Sequence, residues 1–390
     1  LFLNTIRHLK FSQILNRLRR RLINPKVSLC DIPRNLFPNR ILSPMVPCPQ
    51  KIFGDNRFKF LNKEFTIKEK EDWNAEDQDK LWLYNLHYFD DLNATNADHR
   101  LKWHVSLIQK WINENPVGVG NGWEPYPSSL RIVNWIKWLI KNQNANNISK
   151  QTFLDSLVIQ TRFLSKNLEF HLLGNHLFSN AKALVYAGLL FTGKESDAWY
   201  KLGISILKTE ISEQVLSDGG NFELSPMYHQ IILFGVLDCI KLMKLNDWKD
   251  DNLLKLLKYT ASKMMSWLKE VTFDNGNIPM VNDSSFDISC STKELLNYGE
   301  ELDLSKTKIQ LSDSGYRMIK NKNFELFIDI GQVGASYQPG HVHSDTFNFI
   351  LNINNQPIIV DTGTSTYEKN QLRQKERSTS SHNTVQVGDF

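Results

Sequence analysis

Residues 338–349 read QPGHVHSDTFNF, which places His341 and His343 one residue apart and Asp345 two further on. Histidine is the side chain whose ordinary pKa lies nearest neutrality, and its neutral ring is a common metal ligand. In an extended segment, alternation puts His341, His343 and Asp345 on one face. Asp361 closes the run QPIIVD and His382 opens HNTV, so a further carboxylate and a third histidine stand at the ends of neighbouring strand-like runs. Two histidines and one carboxylate on adjacent strands make a zinc-type ligand set. The same side chains could form a hydrogen-bonded polar cluster, and spacing does not say which of His341 and His343 would ligate.

Four more polar segments interrupt an otherwise apolar, helical stretch. NGWEPYPSSLRIVNW (121–135) combines Trp123, Glu124, Tyr126 and Arg131. LLGNHLFSNAKAL (172–184) puts Asn175 and His176 at a helix start. DGGNFELSPMYHQ (218–230) brings Glu223, Tyr228 and His229 to the next one. DNGNIPMVNDSS (274–285) ends in Asn282 and Asp283. Each has a structural reading: Asn175 as a helix N-cap, His176 and His229 as half-buried histidines, Tyr228 as packing, Asp-Gly-Gly as a turn. Their recurrence is the signal, because loops at one end of a helical array form a shared cleft.

The elements that must position these residues follow from periodicity. KFSQILNRLRRRLI (10–23) is a basic amphipathic helix, suited to packing on the body or to weak contact with an anionic membrane surface or polymer. An irregular, Pro-rich stretch follows to about residue 50. Apolar residues then recur at helical spacing in 100–113, 128–143, 151–168, 176–193, 197–216, 226–246 and 251–270. Helices of similar length with short connections predict a bundle, a solenoid or an α/α toroid. After about 310 the period changes to two, with strands expected in GYRMIKN, FELFIDIG, TFNFILNI, QPIIVDTG and NTVQVGD. No helix is expected between them, so the sheet is antiparallel. The expected fold class is α+β, with an N-terminal segment over 1–50, a helical domain over 51–305 and the first part of a sheet domain over 306–390.

Bulk properties exclude several classes. The chain has 390 residues, 41% hydrophobic and 23% charged, with a net charge of +4, too mild for a nucleic-acid binder. Its 4 cysteines are dispersed, which excludes a cysteine-rich zinc module or disulfide scaffold. No apolar run approaches the roughly 20 residues of a membrane helix. The chain begins at Leu1 and ends inside a strand-like pattern, so both ends are expected to lie within a longer protein.

Together, GNH and SPMYH in the helical half, and GHVHSDTFNF, VDTGT and HNTV in the second half, resemble the heparinase II/III family of polysaccharide lyases. The resemblance runs from about residue 75 to the end. It implies an incomplete α/α toroid followed by an antiparallel β-sandwich, truncated in this chain. It also implies β-elimination on an acidic, uronate-containing polysaccharide. Asn175 would then neutralise the uronate carboxylate with His176 beside it, and Tyr228 and His341 would serve as base and acid. Trp123, Tyr126, Arg131, Glu223 and Asp283 would line the substrate, and His343, Asp361 and His382 would bind one structural zinc. The leading basic helix resembles members associated with bacterial surface polysaccharides, which implies the periplasm or cell envelope, with the cytoplasm as alternative. Two competing readings stand beside this one: a glycoside hydrolase using a pair such as Glu124 and Asp283, and a non-catalytic protein that binds acidic polysaccharide. Arg373 and Arg377, in NQLRQKERS, are expected either to meet acidic sugars or to lie in a solvated loop.

Overall fold

A computed structural model describes residues 7–22, 27–30, 48–142, 150–246 and 251–388. The chain divides into two compact units, one of Leu15–Leu172 with His176–Leu207, the other of Leu1–Ile14, Leu173–Asn175 and Lys208–Phe390. This division does not follow the switch of period near 305, because the last helices share a unit with the sheet. The basic helix forms as α1 (Phe11–Leu22). Most of the irregular stretch expected after it lies outside the described residues.

The first unit opens with a sheet that periodicity did not reveal. Strands β1 (Ile52–Gly54), β2 (Arg57–Phe60) and β3 (Lys63–Thr66) pair antiparallel in that order. Arg57-Phe58-Lys59-Phe60 alternates exposed and buried residues, and the rings of Phe58 and Phe60 stack 5.8 Å apart on the core side. Leu61 and Asn62, between β2 and β3, take φ of 50° and 61°. Left-handed backbone at both central residues is the two-residue hairpin turn whose twist matches the strands. The strands are only three or four residues long, too short to show a period. Helices α2 (Lys80–Tyr88), α3 (Leu101–Glu114), α4 (Pro125–Lys141) and α5 (Lys150–Lys166) follow, then α6 (Gly174–Leu190) and α7 (Lys194–Gln214). Pro125 opens α4 at its first position, where a fixed φ and a missing donor cost nothing. Trp73, Trp82, Trp111, Trp135 and Trp138 are all fully buried, so much of the tryptophan content is core.

In the second unit α8 (Pro226–Lys244), α9 (Asp251–Val271) and α10 (Thr292–Glu301) pack with a four-stranded antiparallel sheet. Its strands β4 (Tyr316–Lys320), β5 (Phe324–Asp329), β6 (Phe349–Ile353) and β7 (Gln356–Ile359) lie in chain order, a meander. Asn354 and Asn355 make the β6–β7 turn with φ of 49° and 63°, a conformation asparagine tolerates better than most residues. Tyr316, Phe327 and Ile350 are buried, while Ile319, Ile353 and Ile358 are exposed. A short helix α11 (Gln371–Glu376) follows the sheet. Two sequence expectations fail here. No strand forms over 383–388, where Val385 and Val387 are exposed and no ladder partner is present among the described residues. HVHSD is not a strand either: Pro339–His341 is a single 3-10 turn and the residues after it are irregular.

Asp218 joins the α7–α8 connection to the entry of β4. Its carboxylate accepts from Gly220 N at 3.0 Å, from Ser312 N and Ser314 N at 3.0 Å each, and from Ser314 Oγ at 2.6 Å. Burial would raise its pKa, but these donors outweigh it and hold the carboxyl below its ordinary value. Asp218→Ala should lower unfolding stability by on the order of 3 kcal/mol, because several buried N–H groups lose their acceptor together. A urea denaturation midpoint measures this; an unchanged midpoint would show that water replaces the carboxylate.

Candidate active site

The site is built from connections within the second unit. In the 218–225 loop, Leu224 adopts φ of 54°, a conformation that costs a branched residue energy. It is held there because its carbonyl accepts from Asn282 Nδ2 at 2.9 Å and from the Tyr316 hydroxyl. Glu223, just before it, is thereby turned inward. Its Oε1 accepts from Asn175 N at 3.1 Å, at the start of α6. Gly174 makes that approach possible: its φ is +57°, and a Cβ there would lie 2.8 Å from Glu223 Oε1. Ser225 caps α8 by accepting from Tyr228 N at 3.3 Å, and its hydroxyl donates to the Asp283 carbonyl at 2.8 Å. One residue therefore fixes both the tyrosine and the aspartate.

Asp283 is the centre of the cluster. His341 Nδ1 meets its Oδ2 at 2.9 Å, and His343 Nε2 meets its Oδ1 at 2.8 Å. Arg373 straddles both oxygens, with Nη2 donating to Oδ2 at 2.7 Å and Nη1 to Oδ1. Burial would raise the pKa of Asp283, but the bonds from His341, His343 and Arg373 outweigh it and hold the carboxyl well below the ordinary range. The second nitrogen of His341, Nε2, lies 3.1 Å from Glu223 Oε2. Burial alone would lower the pKa of His341; the two carboxylates overcome this and push it up to about 9. His341 is thus an imidazolium at neutral pH. Its ring lies against that of Tyr228, centroids 3.9 Å apart, and the Tyr228 hydroxyl meets the Tyr367 hydroxyl at 3.0 Å.

Strand alternation does not place His341 and His343, since no strand forms over HVHSD. They converge because both reach one carboxylate, not because a strand alternates. Tyr367 was missed, since a lone tyrosine in a Thr- and Ser-rich loop carries no periodic or charge signal. Arg373 is part of the cluster. Instead of lying in a solvated loop it is buried on α11, whose N-cap Asn370 accepts from Arg373 N at 2.9 Å. Arg377 Nε donates to the Val342 carbonyl at 2.9 Å, inside the same framework.

The residues expected to line substrate are buried or half-buried. The side chains of Glu223 and Asp283 are fully buried and spend their charge on His341. In the first unit Arg131 is 0% exposed. Its guanidinium lies 3.9 Å above the Trp111 ring and donates to Gln160 Oε1 at 2.9 Å, so it is internal framework. Trp123 is buried too, its indole N–H donating to the Asn115 carbonyl at 3.2 Å. Tyr126 is half-buried with its ring 4.4 Å from that of His176. His176 Nδ1 meets Glu169 Oε1 at 3.1 Å, within the same unit.

The residues expected to bind zinc lie beside Asp283. The His343 and His382 rings are 5.3 Å apart, and His382 Nδ1 meets Asp361 Oδ2 at 2.8 Å. His343 Nδ1 is buried without a hydrogen-bond partner. Asp345 is buried with its carboxyl raised, chiefly by desolvation and against the pull of His382 and His343. Among the described residues, no three His, Cys, Asp or Glu side chains already surround a point that could hold a metal ion.

A helical array thus leads into an antiparallel sheet, with a buried histidine–carboxylate cluster beside a tyrosine. Family models described as Heparinase II/III N-terminus and Heparinase II/III-like, C-terminal match residues 39–304 and 304–390. The chain belongs to the heparinase II/III family. It is similar to the heparin-sulfate lyase of Pedobacter heparinus, 28% identical over 230 residues, covering 54% of this chain and 34% of that protein. The heparin-sulfate lyase of Bacteroides stercoris is 27% identical over 259 residues, covering 58% of this chain and 38% of that protein. The chain therefore spans little more than a third of either relative. The crystal structure of Heparinase III aligns with a TM-score of 0.68 at 21% identity, covering 97% of this chain and 67% of that one, and carries the fold class expected from the sequence.

Asp283→Asn should be the most damaging single change in the cluster. It strips the counter-charge from a buried arginine and histidine, which costs about 3–5 kcal/mol. Chemical denaturation measures the loss; a stability within 1 kcal/mol or so of the parent would mean Asp283 is not the centre described.

Proposed function

We propose that this chain carries the catalytic residues of a polysaccharide lyase that cleaves an acidic, uronate-containing glycan by β-elimination. The observation that carries the reading is Tyr228, packed on an imidazolium and bonded through its hydroxyl to Tyr367. The C5 proton of a uronate is weakly acidic because the neighbouring carboxylate is already negative. Elimination needs a group that holds this carboxylate as charge builds on it. We assign that role to the neutral side-chain amide of Asn175, a buried residue whose backbone N–H donates to Glu223 Oε1. A base takes the C5 proton, the C4–O4 bond breaks, and an acid returns a proton to O4 while the C4–C5 double bond forms. A free tyrosine has a pKa of about 10. The positive ring of His341 lies against Tyr228, whose hydroxyl is within hydrogen-bond distance of that of Tyr367, so on this reading Tyr228 is the base and then, protonated, the acid. His341 acts as charge stabiliser on this reading, since both its nitrogens already face carboxylates. The hydrolase reading fares worse: a general acid needs a raised pKa, and Asp283 is held ionised.

The test is ultraviolet absorbance of the conjugated product on a panel of uronate polymers, heparan sulfate included. Tyr228→Phe should reduce the rate by roughly 100-fold or more. Reducing ends formed without absorbance would refute elimination. The pH profile adds a sign. The pKa of His341 is raised from 6.5 to about 9, so its charge is fully present below 6.5 and is lost as pH passes 9. Activity and the cluster's share of stability should both decline on that alkaline side, and His341→Gln should remove the dependence. A flat stability profile across this window would count against a protonated His341.

The same reading assigns one structural divalent cation, zinc by its donor set, to His343, Asp361 and His382. The unpartnered, buried Nδ1 of His343 supports it, as does Asp361, which already orients His382. The ion would tie the loop after β7 to the loop before β6, outside the proton transfers. Zinc added to chelator-treated protein should raise the melting temperature and bind at one equivalent, and His343→Ala should lose both effects. Equal melting with zinc and with chelator, and no bound metal, would eliminate the ion.

A further inference from the structure

Helix α1 is amphipathic the wrong way round for a helix that merely packs on a protein. At about 100° per residue, Phe11, Leu15, Leu18 and Leu22 fall within an arc of about 60°. That stripe is the outward one: the four are 78%, 54%, 53% and 83% exposed. The polar side carries the helix's contacts with the rest of the chain. Gln13 is the buried residue of the helix and donates to the Tyr337 carbonyl at 3.4 Å, while Arg20 Nη1 meets a ring nitrogen of His171 at 3.2 Å. Arg19 and Arg21 are exposed and flank the apolar stripe on either side.

Charge sharpens this. Seven of the 46 Lys and Arg residues, and none of the 42 Asp and Glu, fall within residues 1–30. The remaining chain therefore carries three more acidic than basic residues. The whole positive excess belongs to the segment that holds α1. An acidic glycan would satisfy the arginines but offers no apolar phase for a phenylalanine and three leucines. A second copy would set one cationic segment against another. A bilayer with anionic headgroups satisfies both faces at once: arginines at headgroup level and the apolar stripe at the acyl boundary. The helix has 12 residues, and among the described residues no helix is long and apolar enough to cross a membrane. It fits the interfacial plane.

We propose that α1 docks the protein on an anionic lipid surface through Phe11, Leu15, Leu18 and Leu22, with Arg19 and Arg21 on the headgroups. The test is co-sedimentation of the full chain with phosphatidylcholine vesicles, with and without about one third phosphatidylserine. The chain should bind the anionic vesicles, lose that binding as salt is raised, and leave the neutral ones largely unbound. Arg19→Gln with Arg21→Gln should weaken binding by roughly 10- to 30-fold, at about one charge's headgroup attraction per residue. Leu15→Asn with Leu18→Asn should weaken it at least as much, while thermal melting confirms that each variant folds. The proposal is overturned if folded parent protein does not bind anionic vesicles, or if the Leu15/Leu18 variant binds them as well as the parent. It is also overturned if the stripe drives self-association instead, read as a dimer in sedimentation that the same variant dissolves.

Discussion

Everything around the candidate site depends on one buried carboxylate. Asp283 takes a histidine on each oxygen and an arginine across both. A bare aspartate in that position would be prohibitively desolvated, and so would Arg373. Paired, they are tolerable, and the excess positive charge is balanced by Glu223 on the far nitrogen of His341. Two carboxylates, one guanidinium and one imidazolium give a cluster that is neutral overall while keeping His341 charged. Such networks rarely add much net stability over an apolar core. What this one contributes is a fixed cation against the ring of Tyr228.

The backbone around the cluster is arranged to make that geometry unavoidable. Leu224 and Asn282 both sit in left-handed conformations, with φ of 54° and 53°. The Asn282 side chain ties the two turns together, donating to the Leu224 carbonyl and accepting from His343 N at 2.9 Å. Gly363 closes the cluster from the loop after β7: its φ is +55°, and a Cβ would lie 2.2 Å from the Ser284 carbonyl oxygen. Loops carry the site, and helix starts and a sheet anchor the loops. This explains why the compact unit ignores the change of period near 305. Helices α8 to α10 and the sheet are one packing problem, solved around Trp267, Tyr316 and Phe327.

Legibility from sequence followed the range of the interactions involved. Long amphipathic helices announce themselves through many residues, so α3 to α9 were readable to within a few positions. The β1–β3 meander was not, because strands this short give no period. NTVQVGD has a strand's composition but no described partner, and a ladder is a property of two segments. Side-chain roles divided similarly. Asn175, Tyr228 and His341 stand out by type at helix starts and in a polar motif. Arg131 and Trp123 stand out too, yet their contacts with Trp111, Gln160 and Asn115 make them framework, and such contacts are not local information. Arg373 and Tyr367 belong to the site only through contacts 90 and 139 residues away in sequence. No local pattern encodes that.

The charge balance of the cluster also bears on how a lyase here could work. Its cations are already committed: Arg373 to Asp283, and His341 to two carboxylates. A uronate entering beside Glu223 meets no spare positive side chain within the cluster. If elimination proceeds as proposed, charge accumulating on the substrate carboxylate falls to a neutral donor, and Asn175 is that donor. The imidazolium is then kept for the phenolate of Tyr228, whose ring it faces. Separating the two tasks has a physical advantage. A single cation shared by substrate and base would bind the ground state and release the base less readily. On that reading, holding His341 between Glu223 and Asp283 would keep it from migrating to the substrate, and its field would stay on the tyrosine.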